Sequence, residues 1–289
     1  MTDNDKKLES KKINKKAIII ISSIIGIIIV SLITIFVTIG IRNKYYLDGK
    51  YKYVDEIRHF YTPEEIATDT ISENMKKYSH VVYEDNSYSK AFLYMCRPID
   101  TKYISKKLGS GIAKGTDDKG VKEETNVEVY EILKVNNEAA IAVKFEDENN
   151  YYSYCNLKYD FKNIDGLVNS LNLKEYLKFN AVTYKYVAKD NSHHYIYFYD
   201  VNNDDIFDTF FNDSNVKLSG VSDKYNRASL YTIGIYDEAL SKYNLSINIF
   251  DDGYATMNLF EVGIEFEVGE KGKAFLEYLH KNYEGCVKR

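Results

Sequence analysis

Residues 17–41, from Ala17 to Ile41, read AIIIISSIIGIIIVSLITIFVTIGI and carry no charged side chain. At about 1.5 Å rise per residue, a helix of that length spans roughly 37 Å, against roughly 30 Å for the hydrocarbon core of a bilayer. In hydrocarbon a lone segment must satisfy its own backbone N–H and C=O groups, which leaves the α-helix as its stable form. The stretch therefore divides the chain into a short leading tail and a long polar remainder. Lys6, Lys7, Lys11, Lys12, Lys15 and Lys16 precede it, and Arg42, Lys44, Lys50 and Lys52 follow it. The denser cluster predicts a cytoplasmic N-terminus and an extracytoplasmic C-terminal part. A cleaved signal peptide has a shorter apolar core followed by small residues. Here GIRNKYY follows, which predicts an uncleaved anchor with Tyr45 and Tyr46 at the interface. Ser22 and Gly26 make one small-xxx-small pair, which chance spacing explains as well as helix pairing does. The lipid bilayer is thus the first expected partner, through Ala17 to Ile41. The tail before it is too short to fold, and its lysines are expected to rest against anionic lipid.

Beyond the stretch the chain can bury a core: hydrophobic residues make up 45% of the sequence and charged residues 28%, outside the range of a disordered tail. The 28 tyrosines favour strands, where one part of the ring packs and the hydroxyl reaches water. The net charge is −5 and the first residues are basic, so the remainder is more acidic still, which argues against a nucleic-acid partner. Three cysteines occur, Cys96, Cys155 and Cys286. Cys96 and Cys155 both fall in strand-like runs, so they could form a bridge or be two small buried hydrophobes. No CxxC is present, which removes thiol-rich zinc and thioredoxin-type sites.

Local patterning predicts the elements. Residues 42–61 form a tyrosine- and charge-rich connector. Thr62-Pro63-Glu64-Glu65 has the N-cap, first-turn proline and capping-box acid of a helix start, with the helix running to about Lys77. Between 81 and 157 the runs KAFLYMC, TNVEVYEILKV, AAIAVKFE and YYSYCNL read as strands. GSGIAKGTDDKG and two Asn/Asp/Glu-rich segments read as the turns between them. A helix is predicted over 163–177, strands over 180–188 and 193–200, and a short helix over 204–211. Further strands are predicted over 229–236, 244–250, 254–260 and 263–268, with a closing helix over 271–283. Asp251-Asp252-Gly253 is a hairpin turn. The expected fold class is a single transmembrane helix plus an α+β ectodomain, in which a small antiparallel β barrel or sandwich precedes an antiparallel sheet with helices on one side. The expected segments are 1–16, 17–41, 42–80, 81–162 and 163–289.

Chemistry-bearing motifs fail on spacing or context. Residues 200–208, DVNNDDIFD, alternate oxygens as a calcium loop does. Asp205 stands where such a loop needs glycine and Phe211 where it needs a bidentate Glu, so the acids read as a helix N-terminus. Gly109-Ser110-Gly111-Ile112-Ala113-Lys114-Gly115 lacks the GxxxxGK[ST] of a phosphate loop and reads as a hairpin or bulge. Ser87-Tyr88-Ser89-Lys90 fits SxxK, but no KTG strand accompanies it. No HExxH is present; His193-His194 reads as a solvated turn, with a weak surface metal site as the other option. The clusters Tyr151-Tyr152-Ser153-Tyr154 and Tyr195-Ile196-Tyr197-Phe198-Tyr199 read as one core face and one half-exposed face of a sheet, the other option being a ligand platform. No catalytic, cofactor-binding or metal residue is assigned.

LGSGIAKGTDD, VEVYEILKVNNEAAIAVKFEDENNYYSYCN, LVNSLNLKEYLKFNAVTYKY, FYDVNNDDIFDTFF and NIFDDGYATMNLF, in that order, resemble the extracytoplasmic regions of membrane-bound regulators of clostridia-like Gram-positive bacteria. These include anti-sigma factors and membrane metallopeptidases of the beta-lactamase-sensor class. The resemblance spans roughly residues 90–284. It implies a shared sensory or partner-binding module and carries over no output activity, since a lysine-rich tail stands where those regulators carry a zinc-binding cytoplasmic domain, and the sequence contains no HExxH. The expectation is a non-catalytic module with a protein partner at the cell surface. The alternative is an envelope enzyme or small-ligand binder with an acidic or tyrosine-lined cleft.

Overall fold

The computed structural model describes residues 51–58, 72–90, 97–116, 119–187, 193–212, 218–219, 227, 229–259 and 263–288. The chain divides into units 1–52 and 53–289. The apolar stretch at 17–41, the Thr62 helix start and Cys96 lie outside the described residues. Among the described residues no helix is long and apolar enough to cross a membrane.

The second unit is mixed α+β: an antiparallel barrel, then an antiparallel sheet with helices. Strand β1 (Lys52–Val54) comes first in the chain. The five-residue helix α1 (Glu73–Lys77) then leads into the barrel, with Ser72 as N-cap accepting from the Met75 N–H. The barrel strands are β2 (Tyr78–Tyr83), β3 (Asn86–Ser89), β4 (Ile104–Thr116), β5 (Lys122–Ile132), β6 (Ala140–Phe145) and β7 (Tyr152–Cys155). Their order is β2-β3-β7-β6-β5-β4, and β4 pairs back onto β2 to close the ring. Closure removes the exposed edges that an open sheet would leave. The interior holds Tyr78, Val81, Tyr88, Ala113, Val127, Val129, Ile141, Val143, Phe145, Tyr152 and Tyr154, with Met75 at its end. Tyr154 is fully buried, and its hydroxyl donates to the Tyr78 carbonyl at 3.0 Å, so its polar tip is satisfied where water cannot reach.

Strand β2 begins at Tyr78, directly after the helix end expected at about Lys77. The structure corrects one expectation here. The glycine-rich stretch read as a turn is the middle of β4, a thirteen-residue strand. The reason is a close approach that no local pattern reveals. A Cβ on Gly111 would stand 2.9 Å from the Val82 carbonyl oxygen, and one on Gly115 would collide with the Lys77 carbonyl. Glycine lets two backbones meet where a side chain would hold them apart, and here the two strands are those that close the barrel.

Helices α2 (Ile164–Leu171) and α3 (Leu173–Tyr176) follow. The single helix expected over 163–177 is broken at Asn172, which adopts the left-handed conformation (φ 51°) that asparagine tolerates. The sheet is then built from β8 (Leu177–Val187), β9 (His193–Phe198), β10 (Leu218–Ser219), β11 (Ser229–Asp237), β12 (Lys242–Phe250), β13 (Tyr254–Met257), β14 (Ile264–Glu267) and β15 (Gly285–Lys288). The order is β15-β9-β8-β11-β12-β13-β14-β10, with β1 beside β15. Strand β15 was not anticipated from the sequence.

Register sorts the two faces. Phe198, Val182, Ile233, Ile247 and Met257 pair in a line across five strands, and all are essentially unexposed. One residue along, Tyr197, Thr183, Thr232, Asn248 and Thr256 line up on the opposite, half-buried face. This is the period-2 alternation of a sheet with one face in the core. Helices α4 (Asn203–Phe210) and α5 (Lys271–Asn282) pack on the apolar face. Phe207 meets Phe179 at 5.3 Å, Phe210 meets Phe275 at 5.3 Å, and the Tyr231 hydroxyl donates to the Gly272 carbonyl at 2.8 Å.

Candidate functional site

The most chemically loaded place in the second unit is where the β11–β12 hairpin packs against β7 of the barrel. Its four-residue loop, 238–241, sits between Asp237 and Lys242, which face each other in register. Asp237, Ala239, Leu240 and Lys242 all have 0% exposure. The loop is tied down on both sides. Ser153 Oγ of β7 donates to the Leu240 carbonyl at 2.6 Å, and the Arg97 N–H to the Ser241 carbonyl at 3.1 Å. Ser241 Oγ donates to the Pro98 carbonyl at 2.9 Å, and the Tyr103 hydroxyl to Glu238 Oε2 at 3.1 Å. The Asp237 carboxylate shapes the loop itself, since Oδ1 accepts from the Leu240 N–H at 2.7 Å.

Three reactive groups meet inside this joint. Lys242 Nζ donates to Cys155 Sγ at 3.2 Å and to the Leu259 carbonyl at 3.4 Å. Asp237 Oδ2 is buried without a hydrogen-bond donor. Burial pushes the Asp237 carboxyl up to about 6, against the pull of the Leu240 N–H, the Lys242 cation and the Ala239 N–H. Burial also pushes the Cys155 thiol up, with Lys242 pulling it back, because a low-dielectric surrounding penalises whichever form is charged. Cys155 is a free thiol, so the bridge to Cys96 that the sequence left open is not formed. The cluster holds an amine, a thiol and a carboxyl within an enclosed joint. Its reach is to its own members and to molecules small enough to diffuse through a packed interior.

No sequence motif singles out Lys242 or Asp237. Asp237 had a signal: it continues the inward alternation of Tyr231, Ile233 and Ile235, so a charged residue stands at a core position. Lys242 had none. Two residues of β11 (Ile235 to Asp237) span three of β12 (Leu245 to Lys242), and this bulge turns Lys242 onto the core face.

The motifs weighed in the sequence are each absorbed by structure. In the calcium-like segment, Asn202 caps α4 by accepting from the Asp204 N–H at 3.0 Å. Asp205 Oδ2 accepts from the Tyr278 and Tyr283 hydroxyls at 2.8 and 3.2 Å, and Asp200 pairs with Arg58. Phe211 is buried in the core. Lys90 of the SxxK segment donates to the Met75 and Lys76 carbonyls, closing the C-terminal end of α1, while Ser87 is exposed on β3. His193 is exposed at the start of β9. Among the described residues no three His, Cys, Asp or Glu side chains group as metal ligands.

The tyrosine clusters divide by alternation. Tyr152 and Tyr154 point into the barrel, whereas Tyr195, Tyr197 and Tyr199 share the polar face of the sheet. Tyr197 and Tyr199 stack at 6.2 Å, and the Arg58 guanidinium lies 4.6 Å over the Tyr199 ring while pairing through two hydrogen bonds with Asp200. The ring faces of that pair are thus occupied from within, and Tyr195, 46% exposed, is the ring left most open.

No protein-family model matches the chain, and comparison with curated proteins and with solved structures gives no match either.

Proposed function

We propose that this chain is a single-pass, membrane-anchored binding or sensory module, non-catalytic and regulatory, whose folded part lies outside the membrane of a Gram-positive-type bacterium. One observation carries the reading: the uncharged run from Ala17 to Ile41, with six lysines before it, ahead of a barrel-and-sheet unit. The resemblance of residues 90–284 to extracytoplasmic modules of membrane regulators supports it. So does the polar sheet face of Thr183, Thr232, Asn248, Thr256 and Tyr195, a row of short hydrogen-bonding side chains beside an open ring. Thr232 Oγ1 donates to Asn248 Oδ1 at 3.0 Å, which holds part of that row in place. A surface partner would meet this face, and the single helix would be the route inward.

The test is chemical cross-linking of the tagged full-length protein in membranes, followed by affinity capture. A defined protein partner whose yield falls on Tyr195→Ala or Thr232→Ala is the expected result. Loss of no partner on either substitution, together with turnover of cell-wall fragments by the purified full-length protein, would replace the binding reading with the enzymatic one.

A further inference from the structure

We propose that Cys155 and Lys242 form an oxidatively installed covalent cross-link through one bridging oxygen, Cys–S–O–NH–Lys, that staples the barrel to the sheet. The geometry carries it. Sγ and Nζ stand 3.2 Å apart, on strands of different lobes, both essentially unexposed, so a small inward movement accommodates an intervening oxygen. Asp237 lies across the hairpin from Lys242 and presents a buried oxygen without a donor, which is a ready acceptor for the proton the ammonium must lose.

The oxidant is dioxygen, small and apolar enough to enter a packed interior. The Cys155 S–H bond and one Lys242 N–H bond break, and S–O and N–O bonds form. One oxygen atom of dioxygen becomes the bridge, and the other leaves as water with the two released hydrogens. The third ammonium proton passes to Asp237. Reduction reverses the step: two dithiol molecules supply four hydrogens and become two disulfides, which returns thiol, amine and one water. The enclosed site favours this product over the sulfinic and sulfonic acids that exposed cysteines reach.

The experiment uses the full-length protein with Cys96→Ser and Cys286→Ser, so that Cys155 is the one thiol. Air-exposed and dithiol-treated samples are digested with trypsin and weighed by mass spectrometry. The expected result in air is a linked species joining the peptides that carry Cys155 and Lys242, heavier than their sum by one oxygen less two hydrogens. Cleavage after Lys242 should be lost, and all of this should revert with dithiol. Tm should fall by several degrees on reduction, and Lys242→Arg should show neither the link nor the shift. Recovery of Cys155 as free thiol or sulfinic acid, with normal cleavage after Lys242, would overturn the proposal.

Discussion

At 0% exposure the Asp237 carboxyl has one oxygen bonded to the Leu240 N–H and the other without a donor. Its folded-state value of about 6 lies above the ordinary 3.8, so the folded protein holds this proton more tightly than the unfolded chain does. Its contribution to stability is therefore complete below about pH 3.8 and is lost as pH rises through about 6. We expect the wild-type protein to lose up to about 3 kcal/mol from this group across that window. Asp237→Asn should remove that slope in denaturation measured from pH 3.5 to 7, and parallel wild-type and variant curves would contradict the assignment. Lys242→Met removes the cation in register with this carboxyl and should cost about 1–3 kcal/mol at neutral pH, the range for leaving a buried polar group uncompensated. The double variant Asp237→Asn/Lys242→Met should recover much of the loss. The inward aspartate stands one position past the strand expected over 229–236, and its signal is that it continues the Tyr231-Ile233-Ile235 alternation. The lysine carries no such signal, because its orientation depends on a bulge that appears only once the strands pair.

Among the elements, β4 is the one whose composition misled. Gly109, Gly111 and Gly115 look like turn residues, and the neighbour that requires glycine, β2, lies some thirty residues earlier in the chain. The Val-, Ile-, Tyr- and Phe-rich runs TNVEVYEI and AAIAVKF, by contrast, carry their strand preference locally, and those strands appear where expected, as β5 and β6. Gly115→Val places a branched side chain against the Lys77 carbonyl and should destabilise the protein by about 1–3 kcal/mol or more. Hydrogen exchange should rise first in β2 and β4, and an unchanged exchange pattern would argue against closure through these glycines. Helix α4 gives the complementary case. The segment was legible as a helix N-terminus, with the amide of Asn202 rather than an acid as its cap. Asn202→Ala should cost about 1 kcal/mol, and millimolar calcium should leave Tm unchanged. A calcium-dependent rise in Tm would mean that the Asp205 carboxylate can leave Tyr278 and Tyr283.

For the whole molecule, the second unit joins a closed barrel to a broad sheet, with a buried hairpin at the joint, and the chain before it carries an apolar run long enough to span a bilayer. The α+β class of this unit, a barrel followed by an antiparallel sheet with helices, was legible because tyrosine- and valine-rich runs favour strands, and turn residues punctuate them. The joint was not, because Ser153, Cys155, Asp237 and Lys242 come together from positions up to 89 residues apart, Ser153 to Lys242. The claim that governs every functional statement is the placement of this unit outside the membrane. It is tested most directly in a cysteine-free background carrying either Val121→Cys, at a position 57% exposed on the barrel, or Asp5→Cys in the leading tail, probed with a membrane-impermeant maleimide. The account predicts that the residue-121 thiol labels in intact protoplasts and the residue-5 thiol labels only after lysis. Labelling of residue 121 only after lysis, with residue 5 reactive from outside, would contradict it.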